Sequence, residues 1–501
     1  MNIAMNRRAT TVRKSAPAVV HRAQVRAHRS DDRRGSTPLA GLARAHNDLC
    51  VTAVDPWQIA AGLEAEGMND RTCHQYGYAD VFSLAEALFM RVPRRGASVP
   101  SKSQRSFDTT ARSVRRGVIY ALPGLAGITA LRTVGADSVW VILVCLGFGW
   151  GWSQAMSFLG HRNLGWFGPS AANAVLRSWL LVGLAVLGTL VIWITLSTGI
   201  SGETAVVGAG VGIYQLAAGA LLVLGDDIVL LAVLLPAGLA VVLLALDLAP
   251  YGTATASFVT ALTVLVVLVL AVRATGRRET ARHAVVGRKP GLASPRKRAR
   301  GNWLRAEDVR AGAPHFAYGI ACAAAVGVAP LTWTAVLGQR LSSAWYLALP
   351  LVMSMGAAEW QLQRLRKETD LLLRTETQAD EFARRVRRAM FTALMSYAGM
   401  VLLLVAVISG LTSPASGGRT VTVVSGYGVL ALCFFVCLVL LSVGEVLFPV
   451  ACLAVGLSIY LGWTALDSAS VARNYLVSLL VCLAVLCGFA LTRLRSPLVH
   501  I

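Results

Sequence analysis

The sequence predicts an all-α, polytopic membrane protein of about twelve transmembrane helices in two six-helix halves, with both termini cytoplasmic. Two observations predict this class. Long apolar segments recur along a chain of 501 residues that is 55% hydrophobic, and each is close to the ~20 residues that cross a hydrocarbon core of roughly 30 Å. Basic residues lie almost entirely on one side of these segments, as the positive-inside rule requires of cytoplasmic connections.

The predicted spans are numbered 1 to 12 in chain order. They occupy 117–135, 138–160, 174–198, 205–225, 228–249, 253–273, 315–337, 342–360, 390–411, 420–443, 445–466 and 471–492. Of the 47 lysines and arginines, only Arg132, Arg340, Arg419 and Arg473 fall on the other side. The even number of spans then places the N and C termini of this cell-membrane protein inside.

The segments outside the spans complete the predicted domain organisation. They are a disordered basic tail (1–46), a small cytosolic helical unit (47–92), a linker (93–116), a basic cytosolic linker (274–314) and a cytosolic tail (493–501). The basic linker separates a first membrane half, 117–273, from a second, 315–492, which includes a charged segment at 361–389. The net charge of +21 is thus concentrated beside the membrane.

The unit at 47–92 carries helix-start signals and apolar stripes. Asp55-Pro56 and Asp80 are typical N-terminal caps. Because a unit of this size is too small for a large core of its own, its apolar positions are predicted to pack on the membrane domain or on a partner. The candidate docking residues are Trp57, Ile59, Leu63, Phe82 and Leu88.

The charged segment 361–389 has apolar residues near helical spacing among many arginines. It is either a basic amphipathic helix at the inner surface or a solvated extension of spans 8 and 9. Anionic inner-leaflet lipids are the expected partners of such cations, whereas nucleic acid is not, because no aromatic-studded binding module accompanies them. The candidate lipid contacts are Arg364, Arg366, Arg384, Arg385 and Arg388.

The motifs argue against catalysis. No nucleotide, metalloprotease or serine-hydrolase signature is present, and Asp226-Asp227 lacks the further carboxylates that a magnesium-diphosphate site needs. We therefore expect no enzyme activity, catalytic residue, cofactor or metal. His161 and Arg162 end span 2 at the headgroup level, where a positioning role is expected.

The interior of the spans is nearly free of charge, because the ionisable residues lie at span ends. Such a pattern disfavours a proton- or sodium-coupled pump. Candidate polar residues of a cavity are Arg132, Gln154 and Gln215. Glycines at 147, 149 and 151 predict close helix packing in span 2.

A weak internal repeat accompanies the division into six and six. Span 4 ends in Gly225-Asp226 and span 10 in Gly444-Glu445, at equivalent places in the two halves. With these turns, and with span 1 running into 131–137 (LRTVGAD), the membrane domain resembles the multidrug/oligosaccharidyl-lipid/polysaccharide flippase superfamily. This resemblance implies a flippase or exporter of a lipid-linked glycan or another amphiphile.

A second resemblance is local. The stretches 55–61 (DPWQIAA) and 78–85 (YADVFSLA), joined to such a membrane domain, are similar to actinobacterial integral membrane proteins of septation. This resemblance implies a non-enzymatic role in cell division or envelope assembly, with cytosolic or membrane division proteins as partners and enrichment at septa. The sequence leaves the oligomeric state open. A polar central cavity between the halves would favour transport, and an apolar, filled centre would favour a platform.

Overall fold

The computed structural model describes residues 38–53, 55–65, 68–92, 115–120, 122, 139–245, 252–276, 305–337, 345–375 and 379–493. All regular elements in these ranges are helical. The chain divides into two compact units, an N-terminal unit and a membrane unit. The predicted all-α class is therefore confirmed.

The N-terminal unit consists of five short α-helices and one turn of 3₁₀ helix. The helices are α1 Pro38–Ala45, α2 Asn47–Thr52, α3 Pro56–Ala65, α4 Asp70–Cys73 and α5 Val81–Arg91, with the 3₁₀ turn at His74–Tyr76. Asp55 caps α3 by accepting a hydrogen bond from Gln58 N at 2.9 Å. Asp80 caps α5 by accepting from Ser83 N at 2.7 Å. Hydrogen bonds from the backbone and the side chain of Ser83 hold the pKa of Asp80 below its usual value.

The N-terminal unit corrects two predictions. Residues of α1 were expected to be disordered, but Leu42 packs into the core of the unit and is buried. Ile59, Leu63 and Leu88 were expected to dock on a partner, but all three are fully buried in that same core. The apolar stripe that these residues form packs inside the unit itself, because about 55 residues are enough to form a small core. Trp57 remains an exposed apolar residue.

The helices of the membrane unit overlap predicted spans 2 to 12 and keep their numbers, although Leu349–Thr375, at span 8, is not among the described helices that are apolar enough to cross a membrane. The bounds are span 2 Val139–Phe167, span 3 Pro169–Thr198, span 4 Gly202–Leu224, span 5 Asp227–Ala245, span 6 Thr253–Gly276, span 7 Ala306–Leu337, span 8 Leu349–Thr375, spans 9 and 10 Ala379–Ser442, span 11 Leu447–Leu466 and span 12 Val471–Arg493. Within the described ranges, nine helices are long and apolar enough to cross a membrane, and a shorter apolar helix occupies Asp227–Leu243. Most of predicted span 1 lies outside the described residues.

Spans 9 and 10 form one helical run of 64 residues that reverses direction. A Cβ at Gly428 would lie 2.8 Å from Val405 Cγ2, and the rings of Tyr397 and Phe435 are 4.9 Å apart. A straight helix would separate such residues by roughly 35 Å or more. The two predicted spans are therefore antiparallel neighbours.

The charged segment 361–389 belongs to these helices. Span 8 continues without a break to Thr375, and the helix that becomes span 9 begins at Ala379. Leu365 and Val386 are buried in the hairpin between them, which favours the interpretation as an extension of the spans. All five predicted lipid-contacting arginines are exposed on this hairpin.

Contacts within the first half recur in the second. Span 1 meets span 5 where Gly238 abuts Leu122, and the equivalent spans 7 and 11 meet where the hydroxyls of Thr332 and Tyr460 hydrogen-bond at 2.5 Å. Span 6 packs on spans 4 and 5, as span 12 packs on spans 10 and 11. This correspondence supports the internal repeat.

The two matched turns have the same hydrogen bonds. Asp226 N donates to Leu221 O at 3.1 Å, and Glu445 N donates to Leu440 O at 3.0 Å. The glycines at 225 and 444 have φ of +81° and +84°, the left-handed conformation that ends a helix in a Schellman motif.

Candidate functional site

The two halves meet along spans 2 and 7, which pack antiparallel over nearly their full length. Small residues make the approach close, because a Cβ at Gly319 would lie 2.6 Å from Gly151 Cα. The paired positions along this seam are Leu143 with Gly327, Gly147 with Ala323, Gly151 with Gly319, and Arg162 with Asp308. The predicted close packing of the span 2 glycines is confirmed.

Spans 1 and 8 form a second contact between the halves. A Cβ at Gly117 would lie 2.5 Å from Gly356 Cα. If spans 1–6 correspond to spans 7–12, the contact between spans 2 and 7 is equivalent to a contact between spans 8 and 1. The observed pair of contacts is therefore the one that a twofold relation between the halves requires.

A layer of ion pairs links the halves on the side of the membrane that carries the basic connections, here called the basic side. Asp227, at the start of span 5, accepts from Arg115 at 3.2 Å and from Arg116 at 3.1 Å. Arg116 also bonds Glu359 of span 8 at 3.1 Å. Arg162 of span 2 pairs with Asp308 of span 7 at 3.3 Å. Asp227 is nearly fully buried, so these pairs are shielded from water more than surface pairs are.

An open pocket of about 440 Å³ lies beside the seam. Its size is within the range of about 300–1,000 Å³ that is typical of small-molecule sites. Arg116 of span 1 and Arg366 of span 8 lie within electrostatic range of His161. It is lined by Gln154, Ser157, Phe158, His161 and Arg162 of span 2 and by His315 of span 7.

The pocket has a polar wall with a definite helical register. Gln154, Ser157 and His161 are three and four residues apart on span 2 and share one face. His315 stacks on Phe158 with a ring separation of 3.9 Å. The wall therefore carries amide, hydroxyl and imidazole groups, and Arg162 lies at its end nearest the basic side.

An aromatic contact lies one helical turn from the pocket lining, in the direction of the opposite side of the membrane. Trp150 lies one helical turn before Gln154 on the same face of span 2. Its ring meets Phe434 of span 10 edge to face, with centroids 6.1 Å apart. Trp150 thus belongs to the first half by sequence and packs on the core of the second half.

The predicted cavity residues have different outcomes. Gln154 lines the pocket. Gln215 instead contacts span 2, because its Cβ lies 3.0 Å from the position of a Cβ at Gly149. Arg132 lies outside the described residues.

Several residues of the site were not predicted. Arg115 and Arg116 were assigned to the linker 93–116, although Asp227, an acid expected at the same membrane depth, could have indicated an ion pair. His315 had no signal beyond its place near the basic end of span 7. Among the described residues, no three His, Cys, Asp or Glu side chains are placed to hold a metal ion.

The apolar helices place the chain in one broad class. It is a multi-pass, all-helical membrane protein. No protein-family model matches the sequence, and no curated protein matches it.

Solved structures of multidrug transporters are similar to this chain over 77–78% of its length. An outward-facing multidrug resistance transporter of the MATE family, from the MOP superfamily, is 14% identical, with 77% of this chain and 95% of that chain covered and a TM-score of 0.49. The Vibrio cholerae MATE transporter VcmN in its bent form is 12% identical, with 78% and 98% covered and a TM-score of 0.48. The eukaryotic MATE transporter AtDTX14 is 14% identical, with 78% and 98% covered and a TM-score of 0.47. All three TM-scores are below 0.5, so the contacts within this chain, and not these similarities, are the basis for inferring its function.

Proposed function

We propose that this protein is a flippase-like exporter that moves an amphiphile with an anionic headgroup between its two halves. The observation that carries the proposal is the open pocket with polar side chains that lies between span 2 of the first half and span 7 of the second. The contact of Trp150 with Phe434 lies one helical turn away from it. A pocket with polar side chains between the halves favours a transporter over a filled platform.

The lining of the pocket favours an anionic headgroup. Arg162 and His161 line the pocket, and Arg366 is close enough to His161 to add positive potential. The charges of Arg116 and Arg162 are shared with the acids they pair with. Deeper in, Gln154 and Ser157 offer neutral hydrogen-bond donors. Phosphate and carboxylate groups are matched by donors of these kinds.

The route through the protein follows from the contacts that block it. Passage toward the opposite side requires the rings of Trp150 and Phe434 to separate, because they contact each other directly beyond Gln154. The ion pairs Arg116–Glu359 and Arg162–Asp308 hold the halves together on the basic side. A rocking motion that separates the aromatic rings and closes the pocket on the basic side would therefore change interactions at these two levels.

Lipid flipping in proteoliposomes tests this proposal. The purified protein is reconstituted with NBD-labelled phosphatidylglycerol or phosphatidylcholine, and flipping is followed by dithionite quenching. We expect faster flipping of the anionic lipid than in protein-free vesicles. His161→Ala should lower the rate about tenfold, as expected when a charge-assisted hydrogen bond is lost. His74→Ala, at an exposed histidine of the N-terminal unit, is the matched control and should have no effect.

Two results would contradict the proposal. One is a rate no higher than in protein-free vesicles for both lipids. The other is a His161→Ala protein that is folded, correctly inserted and as fast as the wild type.

A role in cell division or envelope assembly is the second candidate function. It is favoured by the exposed aromatic residues Trp57 and Phe82 of the N-terminal unit and by the exposed arginines of the hairpin between spans 8 and 9, which suit protein partners and anionic lipid. A fluorescent fusion should then concentrate at septa, with both termini in the cytoplasm, and a deletion strain should form abnormal septa. Uniform membrane fluorescence together with normal septa would exclude this role.

A further inference from the structure

The N-terminal unit has the opposite charge to the rest of the chain. Residues 38–92 contain seven acidic and three basic side chains, although the whole chain has a net charge of +21. Such a unit is repelled by an anionic membrane surface, because the negative potential of the leaflet attracts basic segments. A basic peptide segment is the partner that its charge fits.

An aromatic pair with an acidic border marks the face that such a partner would cover. The rings of Trp57 and Phe82 are 5.0 Å apart, yet 68% of Trp57 and 48% of Phe82 are exposed. Glu64 lies seven residues after Trp57 on α3, and Glu86 lies four residues after Phe82 on α5, so each acid shares a helix face with one ring. Both glutamates are exposed.

Met90 extends the same face by one further turn of α5 and is 78% exposed. Exposed large apolar side chains bordered by charge are typical of protein interaction sites. The face of Trp57, Phe82 and Met90, bordered by Glu64 and Glu86, is called the aromatic face.

We propose that the aromatic face binds residues 281–304 of this same chain. This part of the connection between spans 6 and 7 contains seven lysines and arginines and no acidic residue. Val285-Val286 lie between Arg282 and Arg288, so an apolar pair bordered by cations meets an aromatic pair bordered by acids. The N-terminal tail is a poorer match, because its nine cations are spread over 37 residues that also contain Asp31 and Asp32.

The chain is long enough for this contact. Residues 93–114 connect the N-terminal unit to span 1, and residues 277–304 follow span 6. Fully extended, these segments reach roughly 70 Å and 90 Å. With six predicted spans between them, both segments are expected on the basic side of the membrane.

Site-specific photo-cross-linking of the full-length protein in nanodiscs tests the proposal. p-Benzoyl-phenylalanine is placed at position 57, and in a second variant at position 90, so that the result does not depend on one replacement. After irradiation, mass spectrometry identifies the cross-linked peptides. We expect peptides from 281–304 with both probes, and a lower yield at high salt, since exposed charge pairs are screened.

Charge removal sharpens the test. The triple variant Arg282→Ala, Arg288→Ala, Lys289→Ala should lower the cross-link yield at least fivefold. The matched control Arg13→Ala, Lys14→Ala, Arg22→Ala removes the same charge from the N-terminal tail and should leave the yield unchanged.

The proposal is overturned if both probes capture the N-terminal tail, lipid or no peptide. It is also overturned if cross-links to 281–304 join an isotope-labelled copy to an unlabelled one, because the contact then lies between chains. Equal yields from the triple variant and its control would likewise reject it.

Discussion

The turn between spans 4 and 5 and the turn between spans 10 and 11 share a backbone but differ in their neighbours. Asp227, just after the first turn, binds Arg115 and Arg116, and through Arg116 it is linked to Glu359 of the other half. The acid of the second turn, Glu445, pairs within the second half, with Arg493 at the end of span 12. The two turns therefore have the same backbone geometry, but their side chains have different roles. The acid after the first turn helps to link the two halves, whereas the acid of the second turn pairs within the second half.

Neutralising the two acids should show the largest difference. Asp227→Asn leaves two partly buried arginines without their carboxylate, which should lower the free energy of unfolding by roughly 2–4 kcal/mol. Glu445→Gln removes a more exposed pair and should lower it by less than about 1 kcal/mol. Thermal unfolding of the two variants in the same detergent measures this difference. Equal losses of stability would mean that the two turns have the same structural role.

Adding a side-chain atom where spans 2 and 7 pack most closely should have the next largest effect on stability. A Cβ at Gly151 would lie 2.8 Å from the carbonyl oxygen of Phe316, so Gly151→Ala forces spans 2 and 7 apart and should lower stability by about 1–3 kcal/mol. Gly210→Ala in span 4 is the matched control, because nothing lies within 4 Å of its added methyl group. Stability is measured by thermal unfolding. A Gly151→Ala protein as stable as the Gly210→Ala protein would show that the seam is loosely packed.

Substituting the two adjacent arginines one at a time distinguishes contacts within the first half from contacts between the halves. Arg115 binds only Asp227 among the pairs observed here, whereas Arg116 binds Asp227 and Glu359. Arg116→Gln should therefore lower stability by about 1 kcal/mol more than Arg115→Gln. In double-mutant cycles with Glu359→Gln, Arg116→Gln should show a coupling energy of about 1 kcal/mol and Arg115→Gln none. If both arginines couple equally to Glu359, Arg116 does not link the halves.

Local features were predictable because short-range chemistry determines them. The caps at Asp55 and Asp80 form as predicted because a carboxylate followed by a helical pattern satisfies free backbone N–H groups. The turns at Gly225 and Gly444 were matched correctly because a glycine is the residue best suited to a left-handed helix end.

Long-range features were not predictable. In span 2, nearly every residue is apolar or small, so the pattern does not tell which face meets the other half and which face meets span 4. Gly151 and Gly149 were both recognised as packing residues, yet they face spans 7 and 4 respectively. Ile59 and Leu63 were assigned to a partner because a helical stripe reveals an apolar face but not what covers it.

Replacing the turn glycines should have the smallest differential effect. At φ of +81° and +84°, Gly225→Ala and Gly444→Ala each place a Cβ in a left-handed conformation at a cost of about 1 kcal/mol. Nothing lies within 4 Å of either added methyl group, so backbone strain is the main cost at both positions. Thermal unfolding should then give equal losses within about 0.5 kcal/mol, in contrast to the unequal losses from the neighbouring acids. A much larger loss at Gly225 would mean that the ion pairs of Asp227 depend on the shape of the turn, so that backbone and side-chain roles are not separable in the first half.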